Sequence, residues 1–104
     1  MKRLAFKMKL KPGFKQEYIK RHNEIWPELK ELLRSTGVHD YSIFLDEETN
    51  TLYASQKVSG EAGSQDLASN PIVQKWWDYM ADLMEVNPDN SPVSIELEEV
   101  FHME

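Results

Sequence analysis

His22 lies four residues after Tyr18 and four before Trp26. On a helix that spacing stacks three rings along one face. An imidazole titrates near neutral pH and is the side chain most often used as general acid or base. A neighbouring tyrosine can donate or accept a hydrogen bond, and a tryptophan offers a flat apolar surface to the C–H face of a sugar. A lone histidine on an apolar stripe is more often a structural residue, and spacing alone does not make it catalytic. Trp76-Trp77 is the second unusual feature. Adjacent helical residues project about 100° apart. One indole can therefore be core while the other lines a cleft, or both can spread over a broad core face. Tyr41 opens a strand pattern and has the same two options.

The other candidates are weaker. His39 and His102 stand near expected strand ends in polar surroundings and read as surface residues. No two histidines have an i, i+4 ligand spacing, so no zinc or iron site is expected. The chain has no cysteine, which removes disulfides, thiolate ligands and cysteine nucleophiles. It carries no G-x-G-x-x-G, Walker A or G-x-S-x-G motif, and its four glycines are too few for a phosphate-cradling loop. The chemistry to expect is acid–base work without metal or cofactor.

These side chains need a frame. Leu4, Phe6, Met8 and Leu10 recur with the period of a half-buried strand, which Lys11-Pro12-Gly13 ends. From Phe14 the period becomes helical through Tyr18, His22 and Trp26 and on to Leu33. Pro27 predicts a break near residues 23–26 and a second helical piece beyond it, because a proline ring clashes with the carbonyl four residues back. Gly37 is the expected C-terminal cap. Tyr41–Leu45 and Leu52–Val58 read as a hairpin around the 46–50 turn, with Leu52, Ala54, Gln56 and Val58 on one face. Residues 59–64 read as a loop. Asn70-Pro71 should open a helix that carries Val73, Trp77, Met80 and Met84 on one side. The Asn87–Pro92 loop either covers a site or stops the helix, and Ile95, Leu97 and Phe101 predict a last strand. The order β-α-β-β-α-β is that of a ferredoxin-like α+β domain over residues 1–104, with an antiparallel sheet and both helical layers on one face. The open sheet face, where Ala5, Phe44 and Tyr53 would point, predicts a homodimer packed sheet against sheet.

Composition narrows the partners. At 104 residues the core is modest, about 60–70% of the unfolded surface, so a site belongs in a cleft or at a subunit boundary. Net charge is −6 and uneven: residues 1–34 hold ten Lys/Arg against four Asp/Glu, the rest two against fourteen. Lys7, Lys9 and Lys11 alternate with apolar residues as the wet side of a strand, and the acidic remainder repels phosphates. No nucleic-acid partner is expected. No apolar run is long enough for a signal h-region or a membrane span, which predicts a cytoplasmic protein.

Four blocks in order, Y-I-K-R-H-N-E-I-W-P-E-L (18–29), H-D-Y-S-I-F-L-D (39–46), K-W-W-D-Y-M (75–80) and N-P-D-N-S-P-V-S-x-E-L (87–97), resemble the L-rhamnose mutarotase family along nearly the whole chain. Glu24 and the Gly/Ser-rich stretch 59–66 depart from the family pattern. The resemblance implies a dimeric α+β barrel that interconverts the anomers of L-rhamnose, with no cofactor. It implies His22 as proton donor and Tyr18, Tyr41, Trp76 and Trp77 as sugar contacts. A cofactor-independent monooxygenase or haem-handling protein of the same barrel group, and a non-catalytic sugar-binding module, are the competing readings.

Overall fold

The computed structural model describes residues 1–60 and 62–104, so of the loop expected at 59–64 only Glu61 lies outside the described residues. Strands β1 (Lys2–Lys9), β2 (Val38–Asp46), β3 (Thr51–Val58) and β4 (Ser94–Leu97) form one antiparallel sheet in the order β2-β3-β1-β4. Helices α1 (Lys15–Asn23), α2 (Pro27–Ser35) and α3 (Pro71–Met80) supply the second layer. This is the ferredoxin-like order read from the sequence. Register explains the core. Phe6 pairs with Ala54 and Met8 with Leu52, so the alternate residues of two central strands share the face on which Tyr18, Leu29, Val73, Trp77 and Met80 pack.

The proline break falls where the chemistry of proline demands. α1 ends at Asn23, Trp26 is extended at φ −60° and ψ 129°, and Pro27 opens α2. One expectation changes in consequence. Trp26 lies beyond α1, so it does not continue the Tyr18–His22 stripe one turn on; it turns across to α3, its ring 5.1 Å from that of Trp76. Gly37 follows the last turn of α2 at φ +100°. The positive φ is what calls for glycine there; a Cβ would also come within 2.5 Å of Ser59 Oγ, which could rotate away. Asn70 caps α3 by accepting from the amide of Ile72 at 2.9 Å, with Pro71 at the first position.

Two details depart from the simple pattern. β2 and β3 slip register between His39 and Ser42, which face Lys57 and Ser55, and Asp40 takes φ +48°. The extra residue is a β-bulge, which re-aims the side chain beside it; here it sets Asp40 and Tyr41 opposite buried Gln56. The last strand is also shorter than expected. It stops at Leu97, so Phe101 belongs to no strand and is exposed. Glu98 and Glu99 are poor strand formers, and Glu99 instead meets Arg3 through its side chain at 2.6 Å.

Candidate active site

A cavity of about 820 Å³ opens between the sheet and the helices. α1 brings Tyr18 and His22 to it, β2 brings Tyr41, and α3 brings Trp76 and Trp77. All five residues singled out from the sequence thus line one space. Met8, Leu10 and Leu52 supply an apolar floor.

His22 is held on three sides. Its Nδ1 lies 3.1 Å from the carbonyl oxygen of Tyr18. A carbonyl only accepts, so Nδ1 carries the hydrogen and donates it. In the neutral ring the lone pair therefore sits on Nε2, which makes no hydrogen bond among the described residues. The imidazole lies against the Tyr18 ring at 4.3 Å and meets the edge of Trp76 at 5.6 Å, the planes at 90°. Burial lowers its pKa below the ordinary histidine value, and the bond to Tyr18 opposes that only in part. At pH 7 the ring rests neutral, with one basic nitrogen.

The phenols behave differently. Burial, reinforced by the neighbouring Tyr41, pushes Tyr18 well above the ordinary tyrosine value. Burial raises Tyr41 as well, against the opposing effect of a hydrogen bond with the Ser64 side chain. Neither ionises near neutrality, so both serve as hydrogen-bonding groups. Ser64 is itself fixed by Gln56, whose Nε2 donates to Ser64 Oγ at 2.8 Å while its Oε1 accepts from the Ser64 amide at 2.8 Å.

The two indoles are not divided between core and cleft. Trp76 and Trp77 are both buried and both line the cavity, because the cavity reaches down into the core. Trp76 joins a cluster of rings with His22, Trp26 and Tyr79. His39 is half-buried and borders the cavity at the bulge, which corrects its reading as a surface residue; His102 is exposed. The Asn87–Pro92 loop does reach the site. Pro92 lines the cavity, while Gln74 donates to the Asp89 carbonyl at 2.7 Å and Asn90 to Asp78 at 3.0 Å, tying the loop to α3.

Sequence reasoning missed Gln56, Ser64, Tyr79 and Arg21. Gln56 was findable: it is the one polar residue on the face of Leu52, Ala54 and Val58, and a buried amide needs partners. Arg21 and Tyr79 carry no local signal, since their meeting spans 58 residues. Among the described residues no group of three or more His, Asp or Glu is placed to hold a metal ion, and no helix is long and apolar enough to cross a membrane.

The fold and the site together define a small α+β domain whose helical side encloses one imidazole packed against aromatic rings. The model of the L-rhamnose mutarotase family matches residues 3–103. A protein named L-rhamnose mutarotase from Formosa agariphila is 72% identical over 104 residues, all of both chains, and one from Bacteroides thetaiotaomicron is 71% identical over the same span. A crystal structure of an L-rhamnose mutarotase from Formosa agariphila superposes with a TM-score of 0.93 at 68% identity, covering all of both chains. The chain belongs to the L-rhamnose mutarotase family and is an isomerase that acts on carbohydrates. The oxygenase and binding-module readings gain no support from these relatives.

Proposed function

We propose that this protein interconverts the α and β anomers of L-rhamnose by acid–base catalysis of ring opening and closure, with His22 as the proton donor to the ring oxygen. The observation that carries the assignment of His22 is its Nδ1–H bond to the Tyr18 carbonyl. That bond leaves Nε2 as the basic atom of a ring packed between Tyr18 and Trp76. In ring opening Nε2 removes the proton of the anomeric hydroxyl, whose electron pair becomes the new carbonyl bond. The C–O pair of the breaking ring bond goes to the ring oxygen. The imidazolium returns its proton there. Both oxygens are bonded to the same carbon, so one ring nitrogen reaches both in turn. Rotation about the C1–C2 bond of the open chain and closure on the other face of the aldehyde give the second anomer, and no proton is lost or gained.

The remaining residues bind. Tyr18 and Tyr41 stay protonated and hydrogen-bond sugar oxygens, while Trp76 and Trp77 present flat faces to the C–H side of the ring. The apolar floor of Met8, Leu10 and Leu52 suits the methyl group of a 6-deoxy sugar better than a hydroxymethyl group, which would need a partner there. Mutarotation already runs in water, so the gain that general acid–base catalysis supplies, roughly 10²–10⁴-fold, is enough.

The reading takes residues 1–104 as one functional domain, working in the cytoplasm, with a second copy over the open sheet face. Phe44, Tyr53, Ile95 and Leu97 stand exposed on that face, which supports the dimer. The test is magnetisation-transfer NMR: one anomeric proton of L-rhamnose is saturated and the other watched at catalytic protein concentration. Transfer well above the protein-free rate is expected, falling about 10²–10⁴-fold in His22→Ala while the circular dichroism stays native. Wild-type protein that binds the sugar without speeding exchange would overturn the proposal in favour of a binding module.

A further inference from the structure

Arg21 precedes His22 in the chain, yet its side chain faces α3 and is only 12% exposed. Its guanidinium donates to Asp82 through both terminal nitrogens, at 2.9 and 3.3 Å, and to the backbone carbonyl of Tyr79 at 2.7 Å. Nε donates to Glu17 one turn earlier at 3.2 Å. The same group lies over the Tyr79 ring, 4.5 Å from its centre. One side chain therefore caps the end of α3, binds the turn after it and stacks on an aromatic ring. Arginine suits this because its planar fork serves several acceptors at once and still offers a face for stacking.

Tyr79 leads onward. It stacks on Trp26 at 5.7 Å with the planes at 29°. Trp26 meets Trp76 edge-on at 5.1 Å, and Trp76 meets His22 edge-on at 5.6 Å. His22 is bonded to Arg21 through the backbone. The contacts thus close a circuit: Arg21, Tyr79, Trp26, Trp76, His22 and back. α1 is short at nine residues and none of its side chains caps its start, so its place against α3 depends on contacts such as these.

We infer that Arg21 and Asp82 are positioning residues, which hold the His22 ring against Trp76 by clamping α1 to the end of α3. The ion pair is not valuable as an ion pair, since Asp82 is 62% exposed and surface pairs contribute little. Its value is geometric, because a displacement of about 1 Å at a catalytic group can cost as much as 10²-fold in rate. Lysine at position 21 keeps the charge and loses both the fork and the planar face.

The kinetic arm of the test rests on the mutarotase reading; the spectroscopic arm does not. Arg21→Lys is expected to lower kcat about tenfold with KM changed less than about threefold. Asp82→Asn should show a smaller loss, and Asp82→Glu should recover most of it. Independently of any sugar, the NMR titration of the His22 ring should shift upward in Arg21→Lys, because a loosened ring is better hydrated. A lowered melting temperature with both kcat and the His22 titration unchanged would reduce the clamp to a structural brace and overturn the inference. If Arg21→Lys does not fold, the Asp82 pair decides by the same two readouts. Slow exchange in the wild type with a shifted titration in the variant would sink the mutarotase reading and leave the clamp standing.

Discussion

The two faces of the sheet carry similar residues and do different things. On the helical side, aromatic rings surround one imidazole in a cavity of about 820 Å³. On the outer side, Phe44, Tyr53, Ile95 and Leu97 lie on a nearly continuous surface with the lysines of β1 and β3 among them. Aromatic content therefore does not distinguish them. Concavity does, because a walled space withholds water from a titratable group and shifts it, whereas a flat apolar surface can only lower its free energy by being covered. The bulge in β2 and the proline break before α2 both border this hollow.

That contrast can be broken from either side. The largest effect expected is from Trp76→Ala, which removes a ring that is at once core and cavity wall. It should cost roughly 3–5 kcal/mol of stability and raise KM as well, read by chemical denaturation and by saturation kinetics. Stability loss with unchanged KM would show that Trp76 belongs to the core alone. Next is the pH profile. Burial holds the pKa of His22 below its ordinary value, and the proposed mechanism starts from the neutral ring. The exchange rate per substrate, kcat/KM, should therefore climb about tenfold per pH unit below that lowered pKa and stay level above about pH 6.5. A rate that falls across this range as pH rises would mean that the ring starts protonated. The same shift acts on folding. Between the lowered pKa and 6.5 the unfolded chain binds the extra proton, so stability rises with pH there and levels off above.

The smallest effect on chemistry should come from the outer face. Tyr53 is 41% exposed in the single chain, and Tyr53→Arg should convert a dimer to a monomer in sedimentation at micromolar concentration. Anomer exchange should remain within about threefold of wild type, since Tyr53 does not line the cavity and sites without shared partners act nearly independently. Loss of activity together with the dimer would show instead that the two faces are coupled. A wild-type protein that already sediments as a monomer would remove the second copy from the proposal.

Much of this was legible in the residues. Period-two and period-four patterns placed the strands and helices, Pro27 placed the break, Gly37 and Asn70 placed the caps, and each is a local effect that a few neighbouring side chains decide. His22, Tyr18, Tyr41, Trp76 and Trp77 were singled out through the spacing of α1 and through family resemblance, and the fold brings them to one cavity. Their arrangement was not legible. That Trp76 and Trp77 share one cavity, that Trp26 leaves the stripe of α1 to meet α3, and that His39 borders the site depend on how helices lie on a sheet.

The sequence by itself determined the order of elements and which faces are apolar, because hydrophobic period, proline and glycine act within a turn or two of the chain. Only the tertiary structure decided which nitrogen of His22 holds the lone pair, how far burial lowers its pKa, and that Arg21 closes a circuit through Tyr79 back to the imidazole. Those depend on distances between residues far apart in sequence, and on the water that their packing excludes.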